Sequence, residues 1–119
     1  MTHHRVDAGP KTVHWGYFDA ALPPVLTIGS GDTVTMSTVS GPPDVMPPPP
    51  LVVPEALREV QRSVPNKLPG HMCTGPVAIR GARAGQVARL ASGACRRGRG
   101  SCCCRRGPSR THWSASGLR

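Results

Sequence analysis

Apolar and polar positions alternate along the first eighty residues in short runs, each ended by glycine or proline. Lys11 to Phe18 (KTVHWGYF) holds Val, Trp, Tyr and Phe, side chains that suit a pleated, half-buried strand. Pro23-Pro24 interrupts, and Val25-Leu26-Thr27-Ile28 forms a second run. In Thr33 to Val39, Val34 and Met36 alternate with Thr33, Thr35 and Ser37, the period-two pattern of a strand with one covered face. Gly29-Ser30-Gly31-Asp32 between these runs is turn chemistry, so the pattern predicts a β-hairpin about it. One segment carries helical periodicity. In Pro54 to Val64 (PEALREVQRSV), Ala56, Leu57, Val60 and Val64 fall on one face, Glu55 and Glu59 lie early, and Arg58 and Arg62 lie late. Val77-Ala78-Ile79-Arg80 predicts a further strand, and Gly81 to Gly85 a turn.

Gly41 to Pro50 (GPPDVMPPPP) cannot enter a helix interior or a central strand and reads as a rigid connector. From Ala88 onward the pattern stops. Arg, Ser, Gly, Ala, Cys and Pro make up 27 of the last 32 residues, and Leu90, Trp113 and Leu118 are the only large apolar side chains among them. So little apolar surface does not offset chain entropy of about 1–2 kcal/mol per residue, and the stretch is expected to be disordered. The expected fold is therefore mainly β with one short helix. It is organised as a flexible N-terminus (1–9), an incomplete β-rich domain (10–87) and a disordered tail (88–119).

Charge changes sign at nearly the same place. The chain has 119 residues and a formal net charge of +9. Residues 1–78 carry five basic and six acidic side chains, whereas residues 79–119 carry ten arginines and no acid. The near-neutral body is thus not a nucleic-acid binder by charge. Arg96-Arg97-Gly98-Arg99 and Arg105-Arg106 would bind phosphates non-specifically and in a salt-sensitive way, which makes a small basic nucleic-acid-binding protein the alternative functional class. The tail also holds Cys95, Cys102, Cys103, Cys104 and His112, but adjacent cysteines lack the spacing of a zinc finger or knuckle. Five cysteines, an odd number, do not suggest a secreted disulfide framework. Met1 to Asp7 has no apolar run of signal-peptide length, and no run approaches a membrane span, so the expected compartment is the cytoplasm, with no membrane partner.

Several blocks together resemble one family. Thr12-Val13-His14-Trp15-Gly16-Tyr17-Phe18-Asp19-Ala20, Leu22-Pro23-Pro24-Val25-Leu26-Thr27-Ile28, Ser30-Gly31-Asp32-Thr33-Val34-Thr35 and Thr38-Val39-Ser40-Gly41 are similar, in order, to acetamidase/formamidase proteins. The Pro-Glu-Ala-Leu helix start and His71-Met72-Cys73-Thr74-Gly75-Pro76-Val77-Ala78-Ile79-Arg80-Gly81-Ala82 continue the likeness, which spans roughly residues 10–87. The resemblance implies a hydrolase of carbon–nitrogen bonds in short linear amides such as formamide and acetamide, built on a longer β-rich chain. Family members usually continue Gly-Ala-Glu-Pro-Gly-Asp into another strand. Here Gly81-Ala82-Arg83-Ala84-Gly85-Gln86 loses both acids, and nothing matches beyond it. Charge, composition and resemblance break together, as they would if a GC-rich reading frame shifted. The expectation is a truncated, frameshifted amidase fragment that is inactive alone.

Amide hydrolysis needs an activated nucleophile or a metal-bound water, with stabilisation of the oxyanion. His14 is the candidate general base or ligand, with Asp19 to orient it. A structural histidine and an ordinary loop acid are the alternatives. Thr74 and Gly75 are candidate substrate-binding residues, against a packing role. His71 and Cys73 are two apart; on a strand they would share a face and suit two metal ligands. They are half of a site, so the cofactor stays open; a complete homologue could use a divalent metal such as zinc. Asp32 is a turn acid with a small claim to chemistry.

Overall fold

The computed structural model describes residues 1–91 and the backbone of residues 113–118; residues 92–112 and 119 lie outside the described residues. It is mainly strands with one short α-helix. In chain order these are β1 (His3–Val6), β2 (Val13–Trp15), β3 (Leu26–Ile28), β4 (Thr33–Met36), a 3-10 turn (Pro43–Val45), α1 (Glu55–Ser63), β5 (Met72–Thr74), β6 (Val77–Ile79), β7 (Ala88–Ala91) and β8 (Trp113–Leu118). No helix among the described residues is long and apolar enough to cross a membrane.

The strands form one four-stranded sheet, in the order β1-β4-β8-β7, and two ribbons, β2-β5 and β3-β6. The first nine residues, expected to be flexible, instead supply β1. It runs parallel to β4 with His3 opposite Thr33 and Val6 opposite Met36. The physical reason is the alternation that buries Val6 and half-buries His4 while His3 and Arg5 stay exposed. The hairpin expected about Gly29–Asp32 is also corrected. The turn exists, with Asp32 N–H donating to the Gly29 carbonyl at 3.2 Å. The strands it joins, however, pair elsewhere: β3 lies parallel to β6 and β4 parallel to β1. Both flanking runs turn a residue into one core, Ile28 from β3 and Val34 from β4, beside Val6. Val25, Leu26, Met36, Val77 and Ile79 cover that core.

Helix α1 begins after Pro54, whose carbonyl accepts from Leu57 N–H at 3.0 Å. Leu57 and Val60 are its buried residues, and Val60 is wholly enclosed. Arg62 reaches back to Glu55 at 2.9 Å, but both side chains are largely exposed, so the pair contributes little. Gln61 Nε2 donates to the Gly41 carbonyl at 2.8 Å and ties the helix to the start of the proline-rich connector.

The expectation of disorder for residues 88–119 falls mainly outside the described residues. Within them, β7 is exposed along its whole length. Strand β8 pairs antiparallel with β7 and, through Ser114 and Trp113, with β4.

Candidate functional site

Ribbon β2-β5 brings together segments nearly sixty residues apart. Val13 lies opposite Thr74, His14 opposite Cys73, and Trp15 opposite Met72. Successive strand residues face opposite ways. Val13 and Trp15 are buried on one face, and His14 stands on the other with Cys73 directly across the ladder. Beyond β2 the chain turns at Gly16 (φ +85°), and the loop 66–71 closes over it. Lys67 N–H donates to the Trp15 carbonyl at 3.3 Å, Gly16 N–H to the His71 carbonyl at 3.1 Å, and Trp15 Nε1–H to the Gly70 carbonyl at 3.2 Å.

That loop completes a small polar and aromatic face. The His14 ring meets Tyr17 edge-on, with centroids 5.4 Å apart and an interplanar angle of 61°. Lys67 Nζ lies 4.3 Å from the Tyr17 ring centroid, a cation–π contact. Cys73 is a free, half-buried cysteine whose Sγ is 4.0 Å from the His71 carbonyl oxygen. His14 Nδ1 is closed off from solvent and has no hydrogen-bond partner. Tyr17 and Lys67 were not singled out from the sequence. Tyr17 lay inside the Lys11–Phe18 run read as one strand, where Gly16 was the signal for a turn before it, whereas Lys67 reaches it only through the loop closure.

The other candidates have structural duties. Asp19 is exposed and accepts from Ala21 N–H at 2.8 Å, closing its own turn; no contact joins it to His14. Thr74 Oγ1 donates to the Ser37 carbonyl at 2.9 Å. Gly75 is buried, holds φ +130° and donates its N–H to the Thr12 carbonyl at 2.8 Å, so its glycine serves the crossover from β5 to β6. His71 is exposed just before β5, with its carbonyl, not its ring, accepting the bond from Gly16. Among the described residues no group of three or more His, Cys, Asp or Glu side chains could hold a metal ion, so His71 and Cys73 acquire no further ligand there.

Asp32 anchors the N-terminal strand. Its carboxylate accepts from Gly29 N–H at 2.8 Å, Thr2 N–H at 2.8 Å and His4 Nε2 at 3.0 Å. These bonds, that from Gly29 first, then Thr2 and His4, hold its carboxyl well below the usual carboxylate range. A folded value below the unfolded one means the stabilisation is fully present above the unfolded carboxylate range, about pH 4, and is lost as pH falls further. Protection of the β1 amides, taken against their intrinsic exchange at each pH, should therefore be constant from neutral pH to about pH 5 and fall under stronger acid. Asp32→Ala should raise β1 exchange at neutral pH and remove most of that acid dependence. Unchanged protection of His4 to Val6 in the variant would show that β1 is held without the carboxylate.

Compared with known proteins, the chain matches no family model and no curated protein.

Proposed function

We propose that residues 10–87 are the N-terminal part of a hydrolase of short linear amides similar to acetamidase/formamidase proteins, inactive without the rest of such a chain. One observation carries this reading: the blocks that bear the resemblance pair with one another. Thr12–Ala20 contributes β2 and His71–Ala82 contributes β5, which are hydrogen-bonded neighbours. The block Leu22–Ile28 contributes β3, which lies against β6 from the same His71–Ala82 segment. Blocks that resemble one family in linear order thus also form mutual contacts.

The chemistry of the ribbon supports the second half of the proposal. Hydrolysis of an unactivated amide needs a nucleophile, a proton donor for the leaving ammonia, and donors aimed at the oxyanion. The β2-β5 ribbon itself offers one imidazole and one thiol, Lys67 beside it stacks on the Tyr17 ring, and Asp19 is engaged in its own turn. On this reading the remaining groups of a site would come from the family-like continuation that the sequence departs from after Ala82.

The test is to translate the neighbouring frames of the gene beyond the codon for Ala82. One frame should continue into an acidic turn and a strand, and a chain rebuilt with it should release ammonia from formamide or acetamide. The 119-residue chain should release none above a boiled control. The proposal is overturned if no frame continues the pattern, if the rebuilt chain is inert, or if the present chain itself turns over either amide.

A further inference from the structure

We propose that residues 80–91 form a phosphate-binding surface, carried by Arg80, Arg83 and Arg89 and fitted to the backbone of a nucleic-acid duplex. The proposal does not depend on the amidase reading, since it concerns only charge at the end of β6 and on β7.

Charge and exposure select this surface. After Glu59 the chain has no acid. Every residue from 80 to 91 is exposed, and β7 lies at the edge of the four-stranded sheet. The acids that form ion pairs form them elsewhere: Asp7 with Arg5, Asp32 with His4 and Glu55 with Arg62. Among the described residues, the side chains of Arg80, Arg83 and Arg89 have no ion-pair or hydrogen-bond partner. Their charge is therefore uncompensated.

Local structure displays these arginines. Arg80 N–H donates to the Ile28 carbonyl at 2.7 Å, which fixes Arg80 beside β3. Ala82 N–H closes a turn on the Ile79 carbonyl at 3.1 Å, with Arg80 second in the turn and Gly81, φ +80°, third. A turn of the same form follows at once. Gln86 N–H donates to the Arg83 carbonyl at 3.2 Å, Arg83 N–H donates to Gln86 Oε1 at 2.7 Å, and Gly85 holds φ +87°. Arg83 opens this second turn, and Arg89 follows on β7. Chain length limits the separation of Arg80 and Arg83 to about 11 Å, and that of Arg83 and Arg89 to about 22 Å.

A nucleic acid fits this pattern. Guanidinium forks match phosphate oxygens, and a duplex carries one charge per about 1.7 Å of axis, so each arginine at these spacings meets a phosphate. An acidic side-chain patch would have to match the three positions one by one. Residues 80–91 hold no aromatic side chain to stack on an unpaired base, which favours a duplex over a single strand. The surface also leads directly into residues 92–119, which carry seven further arginines and no acid. Contact is to the backbone and carries no sequence preference.

The experiment uses the full chain and a fluorescein-labelled DNA duplex of mixed sequence, about 20 base pairs long, with anisotropy read between about 50 and 200 mM salt. The triple variant Arg80→Gln, Arg83→Gln, Arg89→Gln should flatten the dependence of log K on log salt by about 2.7, three phosphates at about 0.9 each. Replacing the same three residues by lysine keeps the charge and should keep the slope. Phenylglyoxal modification of the unaltered chain, read by peptide mass, needs no variant: the duplex should protect Arg80, Arg83 and Arg89. Absence of binding overturns the proposal, as does an unchanged slope in a folded glutamine variant or equal modification with and without duplex. Displacement of the duplex by poly-glutamate as effectively as by unlabelled duplex overturns it too, and makes the partner an acidic protein. If the glutamine variant does not fold, the modification pattern and the poly-glutamate competition decide.

Discussion

Gly16→Ala should destabilise the protein by about 3–5 kcal/mol, the range of substitutions with a specific structural fault. Two costs combine. Gly16 holds φ +85°, a region that an L side chain enters only with strain of about 1–2 kcal/mol. In addition, a Cβ built on Gly16 would overlap the Leu68 carbonyl, which is backbone and has no rotamer to change. Relief requires the 66–71 loop to lift away. That movement breaks the bonds from Gly16 N–H to His71, from Lys67 N–H to Trp15 and from Trp15 Nε1 to Gly70, each worth about 1 kcal/mol net. Gly31→Ala is the control. Gly31 has φ +89° but open space where a Cβ would stand, so it carries the strain without the clash. Urea unfolding should show the Gly16 variant shifted much further than the Gly31 variant. Equal shifts would mean that the loop closure over Gly16 contributes nothing.

The same loop separates what could be read in the sequence from what could not. Strand β2, helix α1 and strand β6 were legible because each has a local pattern that tertiary context merely confirms. Examples are the buried Val13 and Trp15 about His14, the Leu57–Val60 pair on α1, and Val77 and Ile79 against β3. Partner choice was not legible. The Gly29–Asp32 turn has hairpin chemistry, but Asp32 turns its carboxylate toward Gly29, Thr2 and His4 and so recruits the N-terminal strand to β4. A turn fixes a change of direction; the side chains on either flank decide the ladder. Strand β1 was missed because His-His-Arg-Val shows a single apolar residue, and its alternation emerges only when Val6 meets Ile28 and Val34. At the site, His14 and Cys73 were both singled out, but for separate roles. Their opposition depends on a register between segments that no local pattern reports. Asp19, Thr74 and Gly75 were chosen for their residue type and position, and the bonds they make to Ala21, Ser37 and Thr12 could not be read from either.

Trp15→Ala should cost about 3–5 kcal/mol, enough to unfold most molecules of a small domain. Trp15 is 5 % exposed, and its indole is the largest side chain among the buried residues. Removing it leaves a cavity beneath β2, on the face opposite His14. Trp15→Phe separates burial from hydrogen bonding. It keeps an aromatic ring in place and gives up the bond from Nε1 to the Gly70 carbonyl. Because Gly70 is exposed, water can satisfy that carbonyl, and the loss should be about 1–2 kcal/mol. Thermal unfolding of the two variants measures the difference. The outcome also reaches the opposite face. If burial of Trp15 holds β2 in register with β5, then Trp15→Ala should abolish amide protection in the ribbon, while Trp15→Phe should keep most of it. Equal destabilisation by both substitutions would assign the anchoring of β2 to the indole hydrogen bond, and the loop 66–71, in place of the packed ring, would then be what holds His14 opposite Cys73.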